Sequence, residues 1–252
     1  TGWDVKRLVR LLVTSRTYRQ ESRVSPEVLE RDPYNTLLAH ASRPRLDAEV
    51  LRDQALAISG LLVPTIGGAP VRPYQPTNIW EPVAFGGSNT RVYEQDQGEA
   101  LYRRSLYTFW KRTAPAPSMS TFDAPSRETF CVGRGRSNTP LQALALMNDV
   151  QHIEAARAFA ERLLSQPGSD ANRIALAVRS VISRAPTDNE SALLLETLQA
   201  HRHHYSQNPQ AAEKVLSNGE SKPSGLFPVT EVAAWTLVAN LVLNLDEAVS
   251  RN

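Results

Sequence analysis

Residues Thr230 to Glu247 read TEVAAWTLVANLVLNLDE, and the reading of this stretch decides the fold. Thr230 opens a helix, and beyond it Val232, Ala233, Trp235, Leu237, Val238, Leu241, Val242 and Leu245 leave it apolar on most sides. A helix of that kind must be covered on most sides, so it belongs inside a bundle of other helices.

Working outward, the chain supplies the covering helices. Thr187 with Glu190 forms a capping box ahead of Leu193, Leu194, Leu195 and Leu198. Asp170 caps a helix carrying Ile174, Ala177, Val178, Val181 and Ile182, and Asp149 caps another through Ala155, Ala156, Phe159, Ala160, Leu163 and Leu164. Thr139-Pro140-Leu141-Gln142 is a second capping box, with Asn148-Asp149 ending its helix. Further back, Asp47 opens a helix to about Ile58, with Gly60 at the C-terminal cap position. Ser25-Pro26 and Asp32-Pro33 each pair a cap residue with a proline in the first turn and read as short helical starts. Near the beginning, Val5, Leu8, Val9, Leu12 and Val13 form one face of an amphipathic helix, opposite Lys6, Arg7 and Arg10. The polar stretches Ser15 to Arg23 and Asn208 to Ser224 separate helices.

Two segments need separate treatment. From Val63 to Gly98, Pro64, Gly67, Gly68, Pro70, Pro73, Pro76, Pro82, Gly86 and Gly87 break every period, and a connection of this length is either packed or mobile. Tyr74, Trp80, Phe85 and Tyr93 favour a packed insertion, held on the core through Trp80 and Phe85. Glu99 to Arg112 has no breaker and places Leu101, Tyr102, Ser105, Leu106, Phe109 and Trp110 at helical spacing, which predicts a helix. The expectation is a mainly α, irregular multi-helix fold: one helical domain over 1–252, with residues 63–98 as a packed loop insertion.

Composition narrows the function. The 252 residues are 41% hydrophobic and 21% charged, which suits a globular chain with a sizeable core. The lone Cys131 excludes an intrachain disulfide, a multi-thiolate metal site and a C-x-x-C-H haem attachment, and its expected place is a small buried apolar position. No run of about 18 apolar residues occurs, so no membrane span is expected. Thr1 to Lys6 show neither an initiator Met nor a signal-peptide core, so the chain reads as a piece of a longer protein, with its first helix packing against residues that precede it. Residues 101–140 hold seven basic and two acidic side chains, and 24 of the 28 basic residues are arginines. An arginine fork suits carboxylate, phosphate or sulfate, although a high-GC codon bias produces the same enrichment.

Four groups of residues are candidates for chemistry. In GRGRSNTPLQ, Gly133 and Gly135 permit close backbone approach, Arg134 and Arg136 supply charge, and Thr139 starts a helix whose N–H groups favour an anion. This is an expected anion cradle; the alternative is that both arginines are structural ion-pair partners of carboxylates in another domain. Arg103, Arg104, Tyr107, Trp110, Asp123 and Arg127 are candidate glycan contacts, since arginine and aromatic faces stack on sugar rings, the alternative being core packing. Asp123 with Glu128 could act on a glycosidic bond, though spacing in sequence does not give the carboxyl separation. His201 and His204 lie one helical turn apart and lack a third ligand, so no metal site is assigned. There is no G-x-S-x-G element, and the basic excess is too confined for nucleic acid.

Six blocks together carry a resemblance: SRTYRQ (15–20), RLDAEVLRD (45–53), YRRSLYTFWKR (102–112), TFDAPSR (121–127), NTPLQALALMND (138–149) and AWTLVANLVLNLDE (234–247). They resemble the planctomycete-type domain of unknown function numbered 1553, over nearly the whole chain. Two local departures are the glycines interleaved with Arg134 and Arg136, and Val150 where a proline is usual. The resemblance implies an extracytoplasmic domain, periplasmic or secreted, at the C-terminal end of a longer bacterial polypeptide. A c-type haem would sit on a missing N-terminal domain, with no cofactor on this segment. Implied partners are the N-terminal domains of the same polypeptide, an anionic polysaccharide and a secreted sulfatase-like protein. The resulting expectation is a binding or docking module in polysaccharide or sulfated-glycan utilisation. The alternative is a catalytic domain acting on a glycan or coupled to a cytochrome c neighbour, for which no catalytic residue is assigned.

Overall fold

Pro228 stands at the N-cap, and Val229–Leu243 follows as the helix that the Thr230 stretch requires. Its Trp235, Val238, Ala239 and Val242 are fully buried. In this computed structural model, which describes residues 2–251, contacts group the chain into two units: Thr1–Arg45 with Ser250–Asn252, and Leu46–Val249.

The first unit holds helices α1 (Val5–Thr14) and α2 (Pro26–Arg31). Asp4 caps α1 by accepting the Arg7 N–H at 3.0 Å, and no side chain of α1 is buried. Ser25 caps α2 as its sequence predicts, with Pro26 in the first turn. The second expected start, at Asp32-Pro33, does not form. Asp32 ends α2, and its carboxylate takes the N–H groups of Thr36 at 2.8 Å and Leu37 at 2.7 Å. An aspartate that satisfies local backbone donors in this way competes with helix formation, and the chain turns instead.

The second unit holds α3 (Ala48–Ser59), α4 (Pro117–Thr121), α5 (Pro140–Asn148), α6 (Val150–Leu164), α7 (Asp170–Ile182), α8 (Asp188–Gln207), α9 (Pro209–Leu216), α10 (Val229–Leu243) and α11 (Asp246–Val249). The fold is thus mainly α, and among the described residues the extended pairings are isolated bridges. No helix among them is long and apolar enough to cross a membrane. α10 is the hub, packed against α6, α8 and α9, while α3 lies on the other flank of α6. Both predicted capping boxes form, at Thr139/Gln142 and Thr187/Glu190. The cap of α7 is Ser169, one residue ahead of the expected Asp170. Asp170 instead joins Glu231 in pairing with Arg202, and Glu231 also accepts the Trp235 indole N–H at 3.0 Å. One guanidinium thereby ties α7, α8 and α10 together at the mouth of the apolar core.

The helix expected over 99–112 is absent. Residues Gly98–Tyr102 and Ser105–Tyr107 form two 3-10 turns, with the chain extended between and after them. Their backbone groups are taken by other segments. Val63 N–H donates to Tyr102 O at 3.0 Å, and Val71 pairs both ways with Tyr107 and Phe109 at 2.7 Å. The Arg52 guanidinium, rising from α3, donates to the carbonyls of Leu101 and Arg103 at 2.6 Å. Carbonyls satisfied from outside are not available to i+4 amides, so tertiary bonding overrides helical spacing.

Of the two aromatics expected to hold residues 63–98, Trp80 is 2% exposed, between Tyr93 and Phe109, while Phe85 is 76% exposed. Of these two aromatics only Trp80 packs, and Val71, Val63 and Tyr74 hold the segment with it.

Candidate functional site

Three short stretches of the second unit meet around the start of α3 and α5. Asp123, in the left-handed region at φ 59°, accepts the Ser137 N–H at 2.7 Å and its hydroxyl at 2.8 Å. Gln142, nearly buried, donates to Ser137 Oγ at 3.0 Å and to Thr121 O at 2.9 Å while completing the box with Thr139. The helix start is therefore largely occupied. Pro140 has no N–H, the Gln142 N–H goes to Thr139, and among the first three helical residues only Leu141 keeps an unclaimed one.

The arginines of the expected cradle face carboxylates of their own chain. Arg134 grips Glu49 with two hydrogen bonds of 2.6 and 3.0 Å and lies 3.8 Å from Asp47. Arg136 reaches Asp47 at 3.9 Å. Asp47 sits at the N-cap of α3 but makes no side-chain cap bond. Burial pushes the Glu49 carboxyl up, but the hydrogen bonds and charge of Arg134 outweigh it and leave the pKa below the ordinary value. The same contact with Glu49 lifts the Arg134 guanidinium above its usual range. A Cβ added at Gly133 or Gly135 would meet nothing within 4 Å, so neither glycine serves a close backbone approach here. Carboxylates from residues 47 and 49 hold the ground where a bound anion was expected.

The aromatic and basic side chains of 103–112 divide in two. Arg103 lies 4.0 Å above the Tyr107 ring and donates to the carbonyls of Thr65, Gly67 and Ala69. Tyr107 accepts the Gly67 N–H at 2.8 Å. These two residues shape the loop at 65–69 and are committed to it. Trp110 is placed by its indole N–H on Ser126 O at 2.9 Å, and Arg127 lies 4.5 Å above its ring with no carboxylate partner among the described residues. Arg104 is exposed and likewise unpaired.

Between Pro125 and Asn138 the backbone makes no hydrogen bond to other backbone among the described residues. The loop is anchored by side chains at Trp110–Ser126, Arg134–Glu49 and Ser137–Asp123, and it displays Phe130 and Val132, each about nine-tenths exposed. Cys131 lies exposed between them, contrary to the buried position expected of it. The loop turns it outward because neither neighbour has a core to reach.

Two buried polar clusters have no counterpart in the sequence reading. Arg52 of α3 also donates to Gln151 at 2.7 Å, and burial brings its pKa down to about 10, against the opposing pull of Asp53. Glu154 and Arg157 of α6 lie wholly inside the unit, 3.8 Å apart. Glu154 accepts from Tyr102 at 2.9 Å and from the amide and hydroxyl of Ser221 at 2.7 Å, while Arg157 donates to Ser221 O at 2.6 Å. Burial first, and then the bond to Glu154, raises the Tyr102 pKa. Gly219, at φ 83°, passes so close that a Cβ there would stand 2.2 Å from Glu154 Cδ. The only sequence signals were a Glu and an Arg on the apolar side of α6 and a glycine in a polar connection. His201 packs on Tyr205, and among the described residues no group of three or more His, Cys, Asp or Glu gathers.

No curated protein and no solved structure matches the chain. A family model described as PSD1, protein of unknown function (DUF1553), matches residues 1–198, which include the loop, its anchors and both buried polar clusters except for Gly219 and Ser221. The chain belongs to the DUF1553 family.

Proposed function

We propose that this chain is a binding or docking module of an extracytoplasmic protein engaged in polysaccharide or sulfated-glycan utilisation, and that residues 125–138 with Trp110 present its contact surface. The observation that carries the reading is Arg127, held above Trp110 by the ring and in no ion-pair contact among the described residues, with Glu49 near enough only to feel its charge, on a loop that is anchored by side chains yet has no internal backbone bonding. A stacked guanidinium that needs no internal partner is ready for a sulfate or uronate carboxylate, and the indole edge beside it suits a sugar ring. Arg136, about half exposed and held only by a long 3.9 Å ion pair with Asp47, is the second fork an anion can engage. Arg134, Gly133, Gly135 and Thr139 shape the loop in this reading, and Asp123 holds its far end. Arg103 and Tyr107 belong to the neighbouring loop, leaving Arg104 as a peripheral cation.

A docking role also accords with the family resemblance, from which come the further proposals: a planctomycete-type setting, N-terminal domains of the same polypeptide as partners, one of them carrying c-type haem, and a sulfatase-like protein nearby. The catalytic alternative finds less support. Asp123 is committed to Ser137, while Arg134 and Arg136 face Glu49 and Asp47, so the carboxylate and the two arginines are held by different partners.

Calorimetry of the whole chain with a sulfated and a uronic-acid oligosaccharide at low salt tests the reading. Saturable binding is expected, weakened at least tenfold by Arg127→Gln with Arg136→Gln while the melting temperature stays unchanged. Absence of heat for both glycans overturns it.

A further inference from the structure

We propose that residues 219–226 are a strap that lifts as one unit from α6, turning on Gly219 and Gly225, and that in lifting it lets water reach the buried Glu154–Arg157 pair while the helical core stays folded. The proposal is independent of the anionic surface described above.

The strap joins α9 to α10 and is bonded unlike either. Among the described residues, no backbone N–H or C=O of 219–227 bonds to another backbone group. Gly219 and Gly225 both stand in the left-handed region, at φ 83° and 71°, where glycine turns at no steric cost. Between them Pro223 stiffens the chain, so the segment moves whole instead of peeling residue by residue. Lys222, Pro223, Ser224 and Leu226 are exposed, and lifting the strap gives up little apolar contact. A groove of about 330 Å³ between the strap, α9 and Val229 leaves open space beside it.

Side chains alone hold the strap down. Glu154, Arg157 and Glu161 stand at i, i+3 and i+7 on one face of α6. The first two grip Ser221, and Glu161 accepts the Ser224 N–H at 2.8 Å and its hydroxyl at 3.0 Å. The Glu220 N–H donates to the Tyr74 hydroxyl at 2.7 Å, and the Ser221 N–H reaches Tyr102 as a second acceptor at 3.1 Å.

The closed state is imperfect. Gly219 lies directly on Glu154, and beneath it Glu154 Oε2 and Arg157 Nε and Nη1 are buried with no hydrogen-bond partner among the described residues. The two charges do not bond to each other either, since Nη2 and Oε1 are 3.8 Å apart. Unpaired buried polar atoms disfavour the state that buries them, and these three have no access to water while the strap is down. Lifting it hydrates them, which offsets part of the cost of breaking the anchors. A segment with few apolar contacts and only side-chain anchors opens well below the free energy of global unfolding.

Hydrogen exchange of the whole chain, followed by nuclear magnetic resonance, tests this. The amides of Glu220, Ser221 and Ser224 should share one protection factor, at least about a hundredfold below those of Phe159 in α6 and Val238 in α10. The Arg157 Nε–H should exchange through the same opening, because it meets water only when the strap lifts. Glu161→Gln weakens only the Ser224 anchor, yet it should speed exchange at Glu220, Ser221 and Arg157 Nε by the same factor as at Ser224, with Phe159 and Val238 unchanged. Gly219→Ala should act on the same groups more strongly, by placing a Cβ against Glu154. Protection at Glu220 and Ser221 equal to that of Val238, acceleration by Glu161→Gln confined to Ser224, or an Arg157 Nε–H that exchanges only with the core overturns the proposal.

Discussion

Replacing Arg52 with Met tests whether one buried guanidinium keeps residues 98–107 from becoming a helix. The side chain is 4% exposed and makes three short hydrogen bonds of 2.6 to 2.7 Å, to Leu101 O, Arg103 O and Gln151 Oε1, besides a longer one of 3.3 Å to Ser105 Oγ and a 3.7 Å ion pair with Asp53. Bonds from a charged donor net about 1.5–3 kcal/mol each, so three of them set a ceiling of roughly 5–9 kcal/mol. Desolvation of the guanidinium takes back a large part of that, as its lowered pKa indicates. Methionine fills the aliphatic volume but leaves three acceptors without donors, and the loss expected is about 3–5 kcal/mol. At a urea slope of about 3 kcal/mol per M, the unfolding midpoint should drop by roughly 1–1.7 M. Hydrogen exchange should locate the damage. The amides of Val63, Val71 and Ser105, bonded to Tyr102 O, Tyr107 O and Asp53, should lose protection while those of α10 keep theirs. Arg52→Lys should recover less than half, since one ammonium cannot span three acceptors. A loss below about 1 kcal/mol with unchanged exchange at 63, 71 and 105 would refute the reasoning.

Gly219→Ala should cost about 3 kcal/mol or more, because the new Cβ meets Glu154 Cδ at 2.2 Å and the backbone is left-handed; a change under about 1 kcal/mol in thermal unfolding would mean that the loop moves away freely. Trp80→Ala should lose about 3–5 kcal/mol and Phe85→Ala under about 0.5, and comparable losses for the two would show that Phe85 packs after all. Glu190 has its pKa brought down to about 2 by Arg184 first and then by the Thr187 N–H. A carboxylate with a depressed folded pKa stabilises fully above its unfolded value of 4.5 and loses that contribution as the pH falls toward 2. With more than a third of the side chain exposed, the contribution is about 1 kcal/mol, and Glu190→Gln should flatten the acid side of the stability curve by that amount.

What the sequence made legible was local. A capping box is written in four consecutive residues, so both could be read, and the composition of Val229–Leu243 required burial whatever its neighbours were. Segments governed by distant partners could not be read this way. Residues 99–112 have helical spacing, yet their carbonyls are claimed by residues some fifty positions earlier. The short helix α9 begins at Pro209, inside the polar stretch 208–224 that reads as a connection, and α4 begins at Pro117; each proline stands in a first helical turn, the position in which proline starts a helix.

The candidate site shows the same limit in its charges. Residues 101–140 count five positive charges in excess along the chain, which read as a basic surface. In space, Glu49 and Asp47 enter that surface from α3 and take Arg134 and part of Arg136, while Arg103 and Lys111 turn to backbone carbonyls. The cations left over, Arg104, Arg112 and Arg127, make no ion pair or bond to a carbonyl among the described residues, and Arg127 only lends its charge to Glu49. A charge run in sequence overstates the field a ligand meets whenever an acidic helix start is folded against it. The useful count is of cations without internal partners, and by that count Arg127, fixed above Trp110, is where an anion gains most from the protein and displaces least.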